Sequence, residues 1–578
     1  MSNEANLHSP ANGSAYAVWK IMLASGLLGA LCFIAIYGVK ILNPAYDDWL
    51  FAGGDLTQHY TGWLFFRRSN WHMPFGLIDG LLGEISFSLM YTDSIPLFAL
   101  FFKLLSPILP ETFQYFGIWG LFCFVLNGSF ASLLIHKFNK NPIFCVLGSS
   151  IFILCPAIFH RMYGQEALAG HYVIILGLVL WAYQNHAWKI KWMKLGMPAI
   201  LWGCTGILAV YTHMYFLPLV YCSMLAAMIT DIFHYKKIVR PICCFVSLTV
   251  CSLLALAGIG AFYGNGSSAA YGLGYVSANL NTFWNGMPLG GDGIFVGYPS
   301  YGSSFLKEMP YGPGQYEGFA YLGLGVLLAV VLSLLILFRY FDKQAGGFST
   351  SLKLAVSRYK WYIIAFAATF IISLFFAVSP ICMFNDKVLY SIDYPDKIVE
   401  ILGIFRASGR FAWFADYLIF TAVLFAFSKI DGKRVMILTL SVCICIQLAD
   451  LKDLISSRKW YKETQTYTSP LVDPRWDELA DGCDKLVILP YDVPGNLCYT
   501  FGIFAYKHNM TVSHFHVARP PLDDIINQYY KNIDLIAQGN GDPDALYVFL
   551  DSAYIPEGAE NIEIYEMDGL YVVRCNRS

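Results

Sequence analysis

Charged residues are scarce in this sequence. Only 13% of the 578 residues are Asp, Glu, Lys or Arg, whereas 57% are hydrophobic and 17% are aromatic. A soluble globular chain carries about 25% charged residues, so this chain has too few to cover a soluble surface of its size. The formal net charge of −2 offers little attraction to phosphates and excludes a nucleic-acid partner. The composition predicts a multi-pass membrane protein.

Zinc-binding cysteine patterns and a cleavable leader are also missing. No CxxC or Cys/His spacing indicates zinc, and 12 of the 15 cysteines precede residue 451, mostly inside apolar runs, where cysteine acts as a small hydrophobe. Cys483 and Cys498, in the remainder, could pair in an oxidising compartment. The first apolar run has no small-residue cleavage site, so we expect a retained span rather than a signal peptide.

The two parts of the chain differ in charge. Residues 451–578 hold 11 basic and 19 acidic residues, a net of −8, whereas residues 1–450 hold 27 basic and 21 acidic, a net of +6. We therefore predict a transmembrane domain over residues 1–450 and an acidic, water-soluble domain over residues 451–578. Three strand-like segments and one helical segment in the second domain indicate a small α/β fold. It contains no nucleophile motif and no phosphate-binding loop.

Eleven apolar runs approach the length that a helix needs to cross the hydrocarbon region of a bilayer. They are Tyr16–Leu42, Phe113–Ile135, Pro142–Phe159, Tyr172–Trp188, Met197–Thr212, Met214–Thr230, Pro241–Phe262, Gly318–Phe338, Trp361–Pro380, Phe411–Ser428 and Val435–Ala449. The sixth run follows the fifth almost without a break and the last is short, so the count could differ by one.

Basic residues predict the orientation of these spans. With the N-terminus inside, the short inner loops carry 17 of the 27 basic residues of the first 450, including Lys189, Lys191 and Lys194. This agrees with the positive-inside rule and places the acidic domain outside the cytoplasm. The segment Ile95–Leu109 is too short to span, so we expect an interfacial or re-entrant helix whose Lys103 reaches toward the headgroups.

The first outer loop, residues 43–112, holds the most informative segment, "NPAYDDWLFAGGDLTQHYTGWLFFRR". Gly53 and Gly54 precede Asp55, and Leu56–Arg67 has the pattern of an amphipathic helix, which would put Asp55 at its N-cap. A carboxylate fixed at the membrane interface could serve as a general base. The alternative is an aspartate that only caps the helix.

Two other outer loops carry isolated charges. The short loop "HRMYGQEALAGH" contains His160, Arg161, Glu166 and His171, which could form a phosphate clamp and a polar wall or could simply end helices in the headgroup region. In "FRASGRFAWFADY", Arg406 and Arg410 would share a helix face and could bind lipid phosphates or a phosphorylated substrate. Asp416 lies deeper and would need a partner, for which Arg406 or Arg410 could serve.

The fourth outer loop, Tyr263–Glu317, is rich in Gly, Tyr and Asn. Aromatic faces combined with amides are what sugar rings need, but interfacial loops share this composition. His213, alone in a long apolar stretch, is expected to mark the turn between two spans.

Several of these motifs together resemble a known family. "GGDLTQHYTGWLFFR", "DSIPL", "FQYFGIW", "YEGFAYLGLG" and "FRASGRFAWF" are similar to a family of bacterial multi-pass proteins placed in the GT-C glycosyltransferase superfamily. The similarity covers most of residues 45–417. It implies an α-helical polytopic, GT-C-like fold in the bacterial inner membrane and a catalytic acidic residue in the first outer loop, which matches Asp55 here. Many members have a D-x-D or D-E pair, whereas this chain has Asp47–Asp48 and a lone Asp55, so a divalent metal at Asp47 and Asp48 stays possible.

The resemblance implies transfer of a sugar from a polyprenyl-phosphate carrier to a glycan, lipid or protein acceptor on the outer face. Phosphate leaves without a general acid, so one carboxylate, Asp55, would suffice, and a single displacement would invert the anomeric centre. Candidate substrate-binding residues are His59, Arg161, Glu166, His171, Arg406 and Arg410. The alternative functions are a flippase or transporter for a lipid-linked or anionic substrate, and a non-catalytic scaffold; charges that lie mainly at the outer interface favour the enzyme.

Overall fold

A computed structural model describes residues 14–186, 196–264, 272–289, 300–344 and 346–576. The basic residues Lys189, Lys191 and Lys194, which we predict in an inner loop, lie outside the described residues.

The first 450 residues are mostly helical, as the apolar runs predict. Their helices are α1 Ser14–Tyr37, α2 Gly54–Arg68, α3 Pro96–Leu105, α4 Phe116–His136, α5 Pro142–Ile153, α6 Pro156–Arg161, α7 Tyr172–Tyr183, α8 Gly196–Thr212, α9 Phe216–Ile229, α10 Val239–Ile259, α11 Leu324–Asp342, α12 Gly347–Val378, α13 Asp396–Leu402, α14 Ala412–Phe427 and α15 Lys433–Asp450. Three antiparallel strand pairs lie between them, formed by β1 Leu77–Ile78 with β2 Phe87–Ser88, β3 Pro288–Leu289 with β4 Ser300–Tyr301, and β5 Ile381–Phe384 with β6 Lys387–Ser391.

Eight helical segments within the described residues are long and apolar enough to cross a membrane, which indicates a membrane protein. They are Val18–Tyr37, Phe116–His136, Glu166–Tyr183, Phe216–His234, Val239–Ile259, Leu324–Asp342, Gly347–Val378 and Ser408–Phe427. A ninth is possible, because α15 and the helical segment Lys452–Lys462 pass the same test together although they are bent by 53°.

Two of the eleven predicted spans are short in the structure. The run Pro142–Phe159 divides into α5 and α6, and Pro156 begins the second piece; proline has no N–H to continue the helical ladder. The run Met197–Thr212 becomes α8, a helix of 17 residues. Both are apolar, but neither meets the length of the other eight segments.

The first outer loop is folded into α2, the β1–β2 hairpin and α3. The expectation that Lys103 of α3 reaches toward the headgroups is wrong, because its side chain is buried. Its Nζ donates to the Asn70 carbonyl at 3.3 Å and lies 4.0 Å from the ring centroid of Phe66 and 4.6 Å from that of Trp71. A carbonyl and two aromatic faces thus replace water around the ammonium group.

The C-terminal region is a small α/β unit, which confirms the predicted fold of the tail. Its elements are α16 Lys452–Ser457, α17 Arg475–Ala480, β7 Lys485–Leu489, α18 Gly495–Lys507, β8 Thr511–Val512, α19 Leu522–Ala537, β9 Ala545–Phe549, β10 Ile562–Met567 and β11 Leu570–Cys575. The sheet has the order β10-β11-β9-β7-β8, in which β7 pairs in parallel with β8 and β9. Cys483 and Cys498 are both free. Their thiols donate to two different backbone carbonyls, those of Leu479 and His514.

Backbone hydrogen bonds join this α/β unit to the first outer loop. The Gly83 N–H donates to the Val512 carbonyl at 2.6 Å, and the Val512 N–H donates to the Gly80 carbonyl at 2.7 Å. Further along, Nε2 of Gln58 on α2 donates to the His516 carbonyl at 2.9 Å. The α/β unit therefore lies directly over the loop that carries Asp55.

Candidate functional site

Two glycines place Asp55 in the first turn of α2. Gly53 and Gly54 have φ of 98° and 62°, a region that favours glycine. The helix begins at Gly54, so the expectation that Asp55 is the N-cap is wrong. Thr57 instead provides hydrogen bonds at the N-terminal end of the helix. Its Oγ1 accepts from the Gly53 N–H at 2.8 Å and donates to the Leu50 carbonyl at 2.9 Å. The carboxylate of Asp55 is thereby left available for other contacts.

Gln165 holds Asp55 in place. Its Nε2 donates to Oδ2 of Asp55 at 3.0 Å. Its Oε1 accepts from Arg410 Nη2 at 3.1 Å and also from Nη1 of Arg161. One amide therefore connects the half-buried carboxylate to both predicted arginines. Sequence reasoning missed Gln165, since an amide in a short loop carries no motif.

Glu317 bridges the two arginines. Its Oε2 accepts from Arg161 Nη2 at 2.7 Å and from Arg410 Nη2 at 2.9 Å, and its carbonyl accepts a second bond from Arg161 at 2.8 Å. Arg161 is fully buried, whereas Arg410 remains 7% exposed. Arg161 therefore pairs with a protein carboxylate, and of the two Arg410 is the one with an exposed surface. Sequence reasoning placed Glu317 only at the end of a sugar-binding loop.

His59 and Glu166 form a second buried pair. Nδ1 of His59 lies 2.7 Å from Oε1 of Glu166, and both residues are at most 1% exposed. The Glu166 carbonyl accepts from Trp119 Nε1 at 2.7 Å. Burial lowers the pKa of His59, but the neighbouring Glu166 outweighs it and brings the pKa to about 9. Glu166 therefore keeps the imidazole of His59 protonated. This buried pair lies near Asp55 and stabilises the position of α2.

A strained turn brings a second carboxylate to Asp55. Asp93 and Ile95 have φ of 49° and 51°. A positive φ raises the conformational energy of a β-branched residue such as Ile95. Ser94 between them donates from Oγ to the His59 carbonyl at 2.6 Å and so fixes the turn to α2. The sequence contains this turn in "YTDSIPL", but nothing in that motif predicts positive φ at two non-glycine residues.

Asp93 pairs with His213. Oδ1 of Asp93 lies 3.3 Å from Nε2 of His213, and the Tyr215 N–H donates to Nδ1 of His213 at 3.2 Å. Because Nδ1 accepts, the proton of a neutral imidazole sits on Nε2 and points to Asp93. His213 follows α8 directly, in the short turn before α9, as the sequence predicts.

The two carboxylates differ in their electrostatic surroundings. Burial is the largest influence on Asp55 and raises its pKa, although His59 and Gln165 oppose the effect. Burial also raises the pKa of Asp93, but His213, His59 and Arg410 together bring it below the usual value. Asp55 is thus the better proton acceptor, and Asp93 stays ionised. Two neighbouring carboxyl groups whose pKa values are shifted in opposite directions are typical of acid–base catalytic sites.

The α/β unit covers this cluster with α18. A β-carbon added to Gly53 would lie 3.9 Å from Oδ1 of Asn496, near the start of α18. Tyr499, one turn further, is close enough to Asp55 that the carboxylate adds to the effect of burial in raising the pKa of the phenol. Nothing in the sequence of the tail predicts this contact.

Other predicted site residues lie elsewhere. Arg406 is exposed and does not share a face with Arg410, because the helical pattern breaks at Ala407 (ψ 63°). His171 is buried, with its Nδ1 2.8 Å from the Tyr417 hydroxyl and its ring 4.7 Å from that of Trp413. The predicted partnership of Asp416 with Arg410 or Arg406 is wrong, since among the described residues neither oxygen of Asp416 has a hydrogen-bond partner.

Asp47 and Asp48 serve structural hydrogen bonds. Asp47 Oδ2 accepts from the Tyr60 hydroxyl at 2.8 Å, and Asp48 Oδ1 accepts from the Tyr467 N–H at 3.1 Å. Across the part of the chain that the structure describes, no group of three or more His, Cys, Asp or Glu side chains is arranged to hold a metal ion.

Comparisons with known proteins identify the family. Residues 26–452 match the model of a family described as a domain of unknown function, DUF6311, and residues 475–575 match its C-terminal domain. The chain belongs to this family. No curated protein matches it.

Proposed function

We propose that this member of the DUF6311 family is a GT-C-like membrane glycosyltransferase. It transfers a sugar from a polyprenyl-phosphate carrier to a glycan, lipid or protein acceptor, with Asp55 as general base. The observation that carries the proposal is the contact of Gln165 with both Asp55 and Arg410, which puts a half-buried carboxylate beside an arginine that is buried except for 7% of its surface. An acceptor hydroxyl and a departing phosphate need these two groups.

The proposed reaction is a single displacement. Asp55 takes the proton of the acceptor hydroxyl while its oxygen bonds to the anomeric carbon. The bond from that carbon to the phosphate oxygen breaks, and the electron pair leaves with the polyprenyl phosphate. Arg410 stabilises the charge on this leaving group, whereas buried Arg161 orients Arg410 through Glu317 and Gln165. The anomeric configuration is inverted.

Asp93 has a separate role in this proposal. Its pKa lies below the usual value, because His213, His59 and Arg410 outweigh burial, so it remains an anion throughout the reaction. An anion near the anomeric carbon would stabilise the positive charge that the sugar develops as the phosphate departs.

A groove between α11, α12 and α14 supports a lipid-linked donor. It has a volume of about 440 Å³ and an almost wholly apolar lining that includes Leu334, Phe370 and Ile419. Ile419 follows Arg410 by nine residues, about 14 Å along a helix at 1.5 Å per residue. A phosphate at Arg410 could therefore continue into an isoprenoid chain that lies in this groove.

The proposed topology has eleven crossings, with the α/β domain outside the bacterial inner membrane. Contacts between loops of one predicted side support it. Lys343 Nζ lies 2.7 Å from Asp431 Oδ2, so two basic inner loops meet, and Lys237 Nζ donates at 2.9 Å to Oδ1 of Asn185, which lies near the predicted inner end of the fourth span. Protease added to intact spheroplasts should remove the α/β domain; if cleavage requires lysis, the proposed topology is wrong.

Purified protein and a panel of polyprenyl-phosphate sugars test the activity. We expect wild type to release polyprenyl phosphate and Asp55→Asn to be slower by roughly 10²–10⁴-fold, the usual contribution of a general base. Asp396→Asn, an exposed carboxylate at the start of α13, is the matched control and should retain full activity. Equal rates for wild type and Asp55→Asn would refute the assignment of the base.

Asp416 favours a second candidate function, a flippase or transporter. A buried carboxylate inside a candidate span, whose oxygens have no hydrogen-bond partner among the described residues, is a common feature of transport pathways. Asp416→Asn should abolish the movement of a labelled polyprenyl-phosphate sugar across proteoliposomes if this function is correct. Movement that survives in Asp416→Asn would exclude this role for Asp416.

A further inference from the structure

The strand order of the α/β domain creates a switch point. The chain leaves β7 through α18 to β8 on one side, and then returns through α19 to β9 on the other side of β7. The connection that leaves the carboxyl end of β7 and the one that leaves the carboxyl end of β8 therefore run in opposite directions along the sheet. In open α/β sheets, ligands bind in the crevice outside the strand ends at such a point.

Polar and aromatic side chains gather at this end of the sheet. Tyr491 follows β7, Ser513 and His514 follow β8, and Gln528 and Tyr529 come from α19; together with aliphatic residues such as Val487, Leu489 and Ile525 they line a small pocket. Its volume of about 10 Å³ holds one water-sized group, so a single hydroxyl group would fit there, but a whole ring would not.

His514 is the polar group of this pocket with an unmet hydrogen bond. Among the described residues, its buried Nδ1 has no partner. Burial lowers the pKa of His514 to about 4, with a further contribution from His516. The imidazole is therefore neutral at pH 7, and its Nδ1 can form a hydrogen bond with a ligand hydroxyl.

Tyr491 and Tyr529 line the pocket, and Tyr530 and Tyr554 lie near Tyr529; we call these four residues the tyrosine edge. Tyr529 has its ring centroid 5.6 Å from that of Tyr491 and 5.1 Å from that of Tyr530. Tyr530 is 59% exposed and Tyr554 is 45% exposed, so these aromatic faces are presented to solvent. They offer flat apolar surfaces beside the amide of Gln528 and the imidazole of His514.

We propose that the tyrosine edge binds the acceptor, and that the acceptor is an uncharged glycan. Sugar rings would stack on the tyrosine faces and direct one hydroxyl into the pocket toward His514. The identification as the acceptor rests on the proposed function, although glycan binding itself does not. The net charge of −8 over residues 451–578 disfavours polyanionic polymers.

The tyrosine edge is connected to the catalytic cluster. His516 follows His514 by two residues, and its Nδ1 lies 3.5 Å from the Tyr499 hydroxyl. Tyr499 belongs to the helix that covers Asp55, and the His516 carbonyl accepts from Gln58 on α2. The segment that carries His514 therefore also contacts the residues around Asp55.

Titration of full-length protein in lipid nanodiscs tests the proposal. The probes are tetrasaccharides of glucose, mannose, galactose and N-acetylglucosamine, a uronic-acid tetrasaccharide, and a tyrosine-free peptide of similar size. We expect at least one neutral glycan to bind, and Tyr530→Ala to weaken its Kd at least tenfold. Tyr565→Ala, in β10 outside the edge, is the matched control and should bind normally.

The outcomes separate this proposal from the proposed function. Asp55→Asn should bind the glycan as wild type does, and in transfer assays Tyr530→Ala should raise the KM for acceptor while kcat changes little. Tyrosine-dependent binding without any transfer would refute the proposed function and leave the glycan site standing. Failure of all four neutral glycans, a preference for the uronic-acid glycan or the peptide, or an unchanged Kd in Tyr530→Ala would refute the glycan site.

Discussion

Nε2 of Gln165 lies 3.0 Å from Oδ2 of Asp55. The orientation of this amide is fixed by its other end, because Oε1 accepts from both arginines and the amino group must then face the carboxylate. The two arginines therefore act on Asp55 through the neutral amide of Gln165. Among the described residues, the carboxylate forms no direct salt bridge that would fully suppress its basicity.

The first prediction concerns the pH dependence of transfer in Gln165→Met. Gln165 lowers the pKa of Asp55 by donating to its ionised form, so removing the amide raises that pKa further. A general base works only when ionised, and the acid limb of the kcat/KM profile should move to higher pH. On that limb we expect kcat/KM to be roughly tenfold to a hundredfold below that of wild type. This ratio corresponds to the free energy of one hydrogen bond to a charged group.

The matched control is Gln344→Met, an exposed amide just after α11. Its profile should superimpose on that of wild type. A Gln165→Met profile with the wild-type midpoint would show that the amide does not act on the catalytic base.

The second prediction concerns Glu317. Glu317→Gln leaves Arg161 buried without its counter-charge and removes the anion that Arg410 contacts at 2.9 Å. Breaking one side of a buried ion pair costs about 3–5 kcal/mol. Chemical denaturation in detergent should show this loss, whereas Glu400→Gln, exposed in α13, should remain as stable as wild type. A loss below 1 kcal/mol would mean that the arginines find other partners.

The third prediction concerns stability against pH. The pKa of His59 rises from 6.5 in the unfolded chain to about 9 in the folded protein. The protonated imidazole therefore stabilises the folded state. Its contribution to the free energy of unfolding is fully present below pH 6.5 and is lost as the pH rises through about 9. It amounts to about 3 kcal/mol at most. The Tm of wild type should fall between pH 6.5 and 9.5, and His59→Gln should show a flatter curve. Parallel curves would contradict the assigned charge.

The sequence predicts which segments are apolar, and therefore most helices, because that pattern is local. It also places Asp55, Arg161 and Arg410 at helix ends on one predicted side, where the structure brings them together through Gln165. Glu317 could not be assigned its role, since its partners lie 93 and 156 residues away in the chain and nothing near it reports them.

Errors arose where backbone conformation departs from the repeating pattern. Arg406 and Arg410 have helical spacing in the sequence, but Ala407 breaks the helix and separates them. The turn at Asp93 and Ile95 could not be predicted for a different reason, because a β-branched residue such as Ile95 rarely adopts positive φ. Such conformations are imposed by tertiary contacts, here the bond of Ser94 to the His59 carbonyl.

The fourth prediction tests whether that turn must contact α2 closely. A β-carbon on Gly62 would lie 2.5 Å from Cβ of Thr92 and 2.6 Å from Oγ of Ser94, closer than such atoms approach. Gly62→Ala must therefore push the turn away from α2 and move Asp93 relative to Asp55. A misplacement of about 1 Å can cost roughly 10²-fold in rate, so we expect a loss of this order in kcat.

Gly495→Ala provides the matched control for Gly62→Ala, because among the described residues a β-carbon there meets no atom within 4 Å beyond its chain neighbours, although the residue begins the helix that covers Asp55. Its kcat should equal that of wild type. If Gly62→Ala retained wild-type kcat as well, the position of Asp93 could not matter for the reaction, and its proposed role as a fixed anion beside the sugar would have to be abandoned. A simultaneous thermal melt separates this outcome from unfolding, since a folded but slow enzyme should show only a modest fall in Tm.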